Sequence, residues 1–385
     1  MMLNSIFSEA LFWGPILIIS LQKLGHMSLT EIYVQEAVCV VICFLVDIPT
    51  GALADIIGRK KMIIIGESLC FIDFLFFAFM SEPWHTWVAN ILWAFGVAFT
   101  SGADKALVQE SCIALGHDRD YYRKYAGRAQ GLRLLMFSVC GPIASWIAGY
   151  NLRLPLLMCI PFLLISVVVV FMLTEPPRED VKQLGIREHL LQMKEGILDT
   201  LRDKRILWIM LYLCIMHVVS KIWFFAYNPY FEAVGVPLWV YGWIFCLLNV
   251  TSWFTSRYGH VIEKKLGDRL TVIVLIPLLS LPIILMGILP TKGMALMVLF
   301  PAMVRGIQGP FFDSMSGHYL RNATRATVLS VQSSIANAMA AFGLLVFGLL
   351  NDWIGLMSSF IVLGVTSLLA YILLISKWRE VFEKK

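Results

Sequence analysis

The sequence is poor in charged residues for its length. Of 385 residues, 15% are charged and 59% are hydrophobic, whereas a soluble domain holds about 25% charged residues. The apolar residues stand in runs that are too long and too closely spaced for the buried helices of a soluble core. The composition therefore excludes a set of soluble domains and predicts an integral membrane protein.

The sequence also lacks the residue spacings of metal and catalytic sites. The eight cysteines lie within or at the ends of apolar runs, without metal-ligand spacing, and the seven histidines are scattered. It contains no His-Glu-x-x-His, no Gly-x-Ser-x-Gly, no phosphate-binding glycine loop and no aspartate-rich cation box. We therefore predict no metal, no cofactor and no enzymatic activity.

Basic residues form no patch, although the net charge is +5. They stand between apolar runs, which argues against a nucleic-acid partner. No basic segment precedes the first apolar run and no small-residue cleavage site follows it, so we expect the first helix to be retained.

Twelve apolar runs are long enough to cross the bilayer. A hydrocarbon core of about 30 Å needs about 20 helical residues, and backbone groups in lipid must be satisfied within helices. The predicted spans are 5–25, 31–53, 62–80, 86–112, 127–149, 154–173, 207–231, 238–257, 271–289, 293–317, 327–350 and 354–376. We therefore predict an all-α membrane protein with twelve transmembrane helices.

The basic residues give this protein an orientation. Of the 31 Lys and Arg, 24 lie in one set of alternate loops and the C-terminal tail, three lie in the other set and four lie within spans. Because cytoplasmic loops carry the excess of Lys and Arg, we predict a multi-pass protein of the cell inner membrane with both termini in the cytoplasm.

The longest loop, 174–206, is charged and divides the chain into six spans and six spans. Its apolar residues follow a helical period, which is typical of an amphipathic segment on the membrane surface. We predict an N-terminal six-helix bundle over 1–173, a cytoplasmic linker over 174–206 and a C-terminal six-helix bundle over 207–385.

A specific motif follows the second span. Residues 51–61 read Gly-Ala-Leu-Ala-Asp-Ile-Ile-Gly-Arg-Lys-Lys, with Gly51, Asp55, Gly58 and Arg59 at its marked positions. This spacing resembles the loop motif between the second and third helices of the major facilitator superfamily of secondary transporters. A fainter copy stands at 263–269, in the equivalent loop of the second half.

The resemblance implies two pseudo-symmetric six-helix bundles that rock around a central cavity in a monomer. It further implies that Asp55 caps the N-terminus of the eleventh helix near Thr327, where the helix dipole favours an anion. Arg59 would pair with Glu110 at the inner end of the fourth helix. Together these contacts would hold the cytoplasmic gate shut.

The sequence departs from the drug/proton antiporters of that superfamily. Their glycine-rich motif is matched only in its middle, at Gly141 and Pro142, and Phe137 and Trp146 replace expected glycines. The two bulky residues disfavour a standard antiporter. Separately, Ile56 stands where a basic residue is usual in the loop motif of the superfamily.

Several charges lie inside predicted spans, where each costs about 2.5–3.5 kcal/mol unless it faces water or a partner. The resemblance implies that the first, fourth, seventh and tenth helices line the cavity. Helical spacing on the seventh and tenth helices places further polar residues on the same faces as the charges. The candidate substrate-binding or proton-coupling residues are Glu9, Asp104, His217, Lys221, Asn228, Arg305 and Gln308.

Two cations opposite two carboxylates suit an anionic solute. We predict a proton-coupled carrier of a small anionic or zwitterionic organic molecule, such as a metabolite or a carboxylate siderophore, with Glu9 or Asp104 taking up the proton. Internal pairs of Asp104 with Arg133, or of Arg305 with Asp313, remain open. A multidrug/proton antiporter that exports lipophilic compounds and a non-transporting membrane sensor or scaffold are the other hypotheses.

Overall fold

Helices make up all the regular structure in the part of the chain that the computed structural model describes, residues 2–8, 12–117, 119–175, 203–320 and 325–383. They are α1 (Met2–Phe7), α2 (Leu17–Lys23), α3 (Leu29–Ile57), α4 (Arg59–Ala78), α5 (Pro83–Thr100), α6 (Ala103–Ala114), α7 (Arg119–Ala148), α8 (Leu154–Phe171), α9 (Lys204–Ala233), α10 (Leu238–Ile288), α11 (Leu299–Tyr319), α12 (Arg325–Ile354) and α13 (Leu356–Ser376). Short 3₁₀ segments precede α2 and α11, at Gly14–Ile16 and Lys292–Val298.

Ten segments of the described chain are long and apolar enough to cross a membrane. The other two predicted spans are the first, which contains residues 9–11 outside the described part, and the third, which is α4. Helix α4 contains more charged residues than is usual for a membrane-spanning helix, among them Lys61, Glu67 and Asp73. The prediction of an all-α membrane fold is confirmed.

Glycines in the left-handed region set helix boundaries that the apolar runs did not show. The predicted span 86–112 is two helices, α5 and α6, because Gly102 has φ +82°. Helix α10 covers the eighth and ninth predicted spans and is interrupted at Gly267, with φ +71°. L side chains rarely adopt such angles, so a turn at these positions needs glycine.

The described helices cluster into two compact units. The first lies within residues 1–28, 38–189 and 238–246, and the second within residues 29–37, 190–237 and 247–385. The first nine residues of α3 thus belong to the second unit, and the first nine residues of α10 belong to the first. These segments begin the second predicted span of each half of the chain.

In the first unit, α4 packs against α5 and α8. A Cβ at Gly66 would overlap the Gly96 carbonyl oxygen, so the two backbones approach as closely as small residues allow. The Glu67 carboxylate accepts hydrogen bonds from Asn4 Nδ2 at 3.2 Å and from Ser166 Oγ at 3.0 Å. This partly buried acid therefore accepts hydrogen bonds from neutral donors of α1 and α8.

The start of α10 packs closely on α7 in the same unit. Ser145 Oγ accepts a hydrogen bond from the Gly242 amide at 2.9 Å and lies 3.2 Å from the Trp239 carbonyl oxygen, to which it donates. A Cβ at Gly242 would overlap the Gly141 carbonyl oxygen. Two glycines and one serine therefore make a contact that no larger side chain fits.

In the second unit, more than half of the residues of α9 are buried, and this helix packs against α11, α12 and α13. Asp203 caps its N-terminus, because the carboxylate accepts the Arg205 amide at 2.8 Å. Trp208 Nε1 donates to the Leu374 carbonyl oxygen at 2.8 Å and Tyr212 Oη donates to the Val272 carbonyl oxygen at 2.6 Å. These bonds fix the polar atoms of large aromatic side chains within an apolar core.

We expect Gly242→Ala to lower the free energy of unfolding by about 1–3 kcal/mol, because the added methyl group overpacks the contact with α7. Gly131→Ala is the matched control, since a Cβ on that α7 glycine meets nothing within 4 Å. The thermal unfolding temperature in detergent, compared for the two variants, measures the difference. Equal temperatures would contradict the close contact.

Candidate functional site

The motif after the second span is built on a one-residue break between α3 and α4. Gly58 has φ +113°, and its amide donates to the Ala54 carbonyl oxygen at 3.1 Å. The next residue, Arg59, begins α4. The positive φ explains why glycine stands here, since other residues would be strained.

Arg59 makes the contact that the resemblance implies. Its guanidinium forms an ion pair with Glu110 of α6, and both side chains are half-buried. The Arg59 amide also donates to Glu175 Oε1 at 2.9 Å. One residue thus joins the start of α4 to α6 and to the segment that follows α8, while its role in gating stays a prediction.

The other motif residues divide into described and undescribed positions. The structure does not describe the side chains of Asp55 and Thr327, so the capping of the eleventh helix by Asp55 stays a prediction. For Gly51, the structure describes only its place in α3. In the second half, Gly267 repeats the positive φ of Gly58 before a helix. The motif copy therefore shares a backbone turn with the original.

Asp104 stands in the first turn of α6, directly after the break at Gly102. Its Oδ1 accepts the Lys105 amide at 2.6 Å, and the helix dipole favours an anion at this end. It makes no ion pair with Arg133 between these described side chains. Glu9, the other proposed proton acceptor, lies outside the described residues.

Lys221 forms an ion pair with an acid of another helix, while its role in binding solute or in proton coupling stays a prediction. Its Nζ lies 2.7 Å from Glu36 Oε1 and 5.2 Å from the centre of the Phe225 ring. The sequence has no acid three or four residues from Lys221 on its own helix, and the partner Glu36 comes from the start of α3. The signal was available, since Glu36 is an acid within the predicted span 31–53.

His217 lies one turn before Lys221 and joins α9 to α12. Its Nε2 lies 2.9 Å from Asn337 Oδ1, a hydrogen bond made by the tautomer with a proton on Nε2. Helical spacing places His217 on the same face as Lys221, and the structure joins that face to α12 through Asn337. His217 is therefore a brace between two helices of the second unit.

Arg305 on α11 has only neutral partners among the described residues. Its Nε donates to Ser252 Oγ and its Nη2 to Asn249 Oδ1, each at 3.2 Å. A guanidinium has five N–H donors, so three remain, on Nη1 and Nη2. An ion pair of Arg305 with Asp313 is the predicted alternative, but the side chain of Asp313 lies outside the described residues.

Two further predicted residues have buried amide oxygens. Asn228 Oδ1 and Gln308 Oε1 have no hydrogen-bond partner among the described residues. Asn228 lies seven residues after Lys221 and Gln308 three after Arg305, so each shares a helix face with a cation. Since an unpaired buried polar group is costly, these faces are suited to a polar solute.

We expect the Arg59–Glu110 pair to contribute about 1 kcal/mol of coupling in a double-mutant cycle of Arg59→Gln and Glu110→Gln. Thermal unfolding in detergent, with added salt as a second variable, measures the coupling. Arg59→Gln combined with Glu82→Gln, an exposed acid before α5, is the control and should be additive. Additive effects of the first pair would show that the contact is not an ion pair in the membrane protein.

No family model matches the sequence. An uncharacterised MFS-type transporter, YxaM of Bacillus subtilis (strain 168), is 23% identical over 360 residues, which cover 89% of this chain and 86% of the relative. The multidrug resistance protein MdtH of Baumannia cicadellinicola is 32% identical and that of Photorhabdus laumondii 36% identical. These two matches cover only 27% of this chain and 24% of each relative.

Three solved structures have a similar fold over nearly the whole chain. A mutant of the nucleoside transporter NupG has a TM-score of 0.81 at 14% identity and covers 97% of this chain and 98% of its own. A bacterial homolog of the human lysosomal transporter Spinster has 0.74 at 14%, covering 99% and 96%. A POT family transporter in complex with 5-aminolevulinic acid has 0.72 at 12%, covering 99% and 96%.

Proposed function

We propose that this chain, a secondary transporter of the major facilitator superfamily, carries a small anionic or zwitterionic organic solute and couples its transport to the movement of a proton. The resemblance first identified in residues 51–61 is confirmed by the curated relative and by the shared fold. A membrane setting and a small-molecule substrate follow from that identity. The class of cargo, the proton and the direction of transport belong to the proposal.

The observation that carries the proposal is the bonding of Arg305. The protein holds the guanidinium by Nε and one Nη2 proton, through Ser252 and Asn249, and offers no carboxylate to it among the described side chains. The remaining donors on Nη1 and Nη2 form a fork. Such a fork matches the two oxygens of a carboxylate or phosphate.

Neutral surroundings make the arginine selective for anions. A charge within the span is costly when alone, and its neutral hydrogen bonds leave the positive charge uncompensated. An anionic group would supply that compensation, whereas a cation would be repelled. Gln308, three residues after Arg305, and the amide oxygen of Asn228 would accept hydrogen bonds from an amine or hydroxyl of the same solute.

Orientation and assembly complete the proposal. We place the protein in the cell inner membrane as a monomer with both termini in the cytoplasm, and the support for the orientation is the distribution of Lys and Arg among the loops. The Arg59–Glu110 pair would then lie at the cytoplasmic surface. There it would stabilise one of the two states of an alternating-access cycle.

Export of lipophilic drugs is the second candidate function. The local similarity to two MdtH proteins favours it. Of the aromatic residues Trp223, Phe224 and Phe225 of α9, only Phe224 is partly exposed, so the apolar surface of this segment is small. The environment of Arg305 favours an anionic solute instead, because a lipophilic cation would not compensate the positive charge of the guanidinium.

The test is a ligand-stabilisation screen of the purified protein against carboxylates, organic phosphates, carboxylate siderophores and cationic drugs. We expect anions to raise the thermal unfolding temperature, and Arg305→Gln to weaken the strongest anion at least tenfold, about 1.4 kcal/mol. Arg305→Lys should bind with intermediate strength, since it keeps the charge and loses the fork.

The matched control is Arg257→Gln, which removes an exposed arginine of the neighbouring helix α10 and should leave binding unchanged. Stabilisation by cationic drugs alone, with no effect of Arg305→Gln, would favour drug export and contradict the anion proposal. A loss of anion binding that is equal in both variants would show a surface charge effect.

A further inference from the structure

We infer that Glu36 is the residue that takes up the coupling proton, and that it does so by exchanging with an anionic group of the solute at Lys221. This assignment rests on the proposed proton-coupled transport. It differs from the sequence-based expectation, which gave the proton to Glu9 or Asp104.

The geometry of the pair permits the exchange. Glu36 Oε1 and Lys221 Nζ are 2.7 Å apart, and the side chains remain 13% and 29% exposed. The Lys221 ammonium lies over the Phe225 ring at 5.2 Å, an additional weak attraction that does not depend on Glu36. The pair is therefore formed but open to water and to a small solute.

The position of the pair makes its two charges depend on each other. Glu36 is the eighth residue of α3, about 10 Å from the beginning of that helix, and Lys221 is the eighteenth of the 30 residues of α9. Both therefore lie inside predicted spans, where a lone charge is costly. Removing one charge of such a pair leaves the other uncompensated.

Among the described side chains, Glu36 and Lys221 form an ion pair with each other, and Glu31 is a further acid on α3. The start of α3 packs on α12, where Thr30 Oγ1 donates to the Gly348 carbonyl oxygen at 2.9 Å. From Val328 to Leu350, α12 has no acidic or basic residue. On α9, the titratable group next to Lys221 is His217, which is hydrogen-bonded to Asn337. Among the described residues, the charge of Glu36 is thus compensated by Lys221.

Two other described carboxylates in the spans, Asp104 and Asp73, are less suited to the task. Asp104 lies at a helix N-terminus beside the exposed Lys105, where the dipole stabilises it. Asp73 is 6% exposed, stands on α4 and makes no ion pair with a described residue. Neither carboxylate is bonded to a cation on a face that also carries polar candidates for solute binding.

The charges balance through the exchange. In the unloaded site, the Glu36 carboxylate and the Lys221 ammonium sum to zero. One proton converts the carboxylate to a neutral acid, and one anionic group of the solute replaces it at the ammonium, so the loaded site again sums to zero. No covalent bond other than the O–H bond of Glu36 forms or breaks. Each negative charge of the solute bound at Lys221 is therefore accompanied by one proton.

The first test uses proteoliposomes on a solid-supported membrane, without solute. A step from alkaline to acidic buffer should produce a transient current as protons enter the wild-type protein. Glu36→Gln should abolish this current, whereas Asp73→Asn and Asp104→Asn should retain it. A full current in Glu36→Gln, or its loss only in Asp104→Asn, would overturn the assignment.

Glu36→Gln leaves the charge of Lys221 uncompensated, so a loss of current in this variant can also result from a failure to fold. A second variant separates the two causes. The double variant Glu36→Gln/Lys221→Met removes both charges and should fold, because replacing a whole pair costs less than breaking it. It should still give no current, and a retained current would overturn the proposal. The exposed Arg257→Gln should keep the wild-type current. Because this current is recorded without solute and the anion screen measures stabilisation by solute, failure of the screen and failure of the Glu36 assignment give different results.

Discussion

A charge placed within the hydrocarbon must be compensated, and the polar architecture of this protein depends on that constraint. Glu67 is held by the neutral donors of Asn4 and Ser166, and Lys221 by the carboxylate of Glu36. Arg305 is the exception, since its described partners are neutral acceptors. The guanidinium of Arg305 therefore lacks a described anionic partner, and this is the observation from which the proposed anionic cargo is argued.

The second constraint is the close approach of helices in lipid, where packing of small residues replaces the hydrophobic drive. Gly242 and Gly141 bring the start of α10 onto α7, and Gly66 and Gly96 do the same for α4 and α5. These contacts position the ends of helices, and the helices in turn carry the charged residues. The Glu36–Lys221 pair exists because the start of α3 lies beside α9, in the unit formed mostly by the second half of the chain.

Sequence reasoning located the site partly and for identifiable reasons. The Arg59–Glu110 contact was expected because the motif is local and its geometry is shared across a superfamily. The stripe from His217 to Asn228 was expected because helical spacing shows which residues share a face. The pairing of Lys221 was missed, because only acids on the same helix were considered and Glu36 lies 185 residues earlier. The break at Gly102 was missed because hydropathy does not register a positive φ.

The sequence by itself determined the solvent of this protein, its all-α class, the number of predicted spans and their expected orientation. Those properties depend on composition and on the order of apolar and basic residues along the chain, because each segment enters the bilayer or stays outside it according to its own residues. Only the tertiary structure decided which charges pair with each other, as Glu36 does with Lys221. Such pairings join residues far apart in sequence, and no periodicity records them, since they arise from the packing of one helix against another.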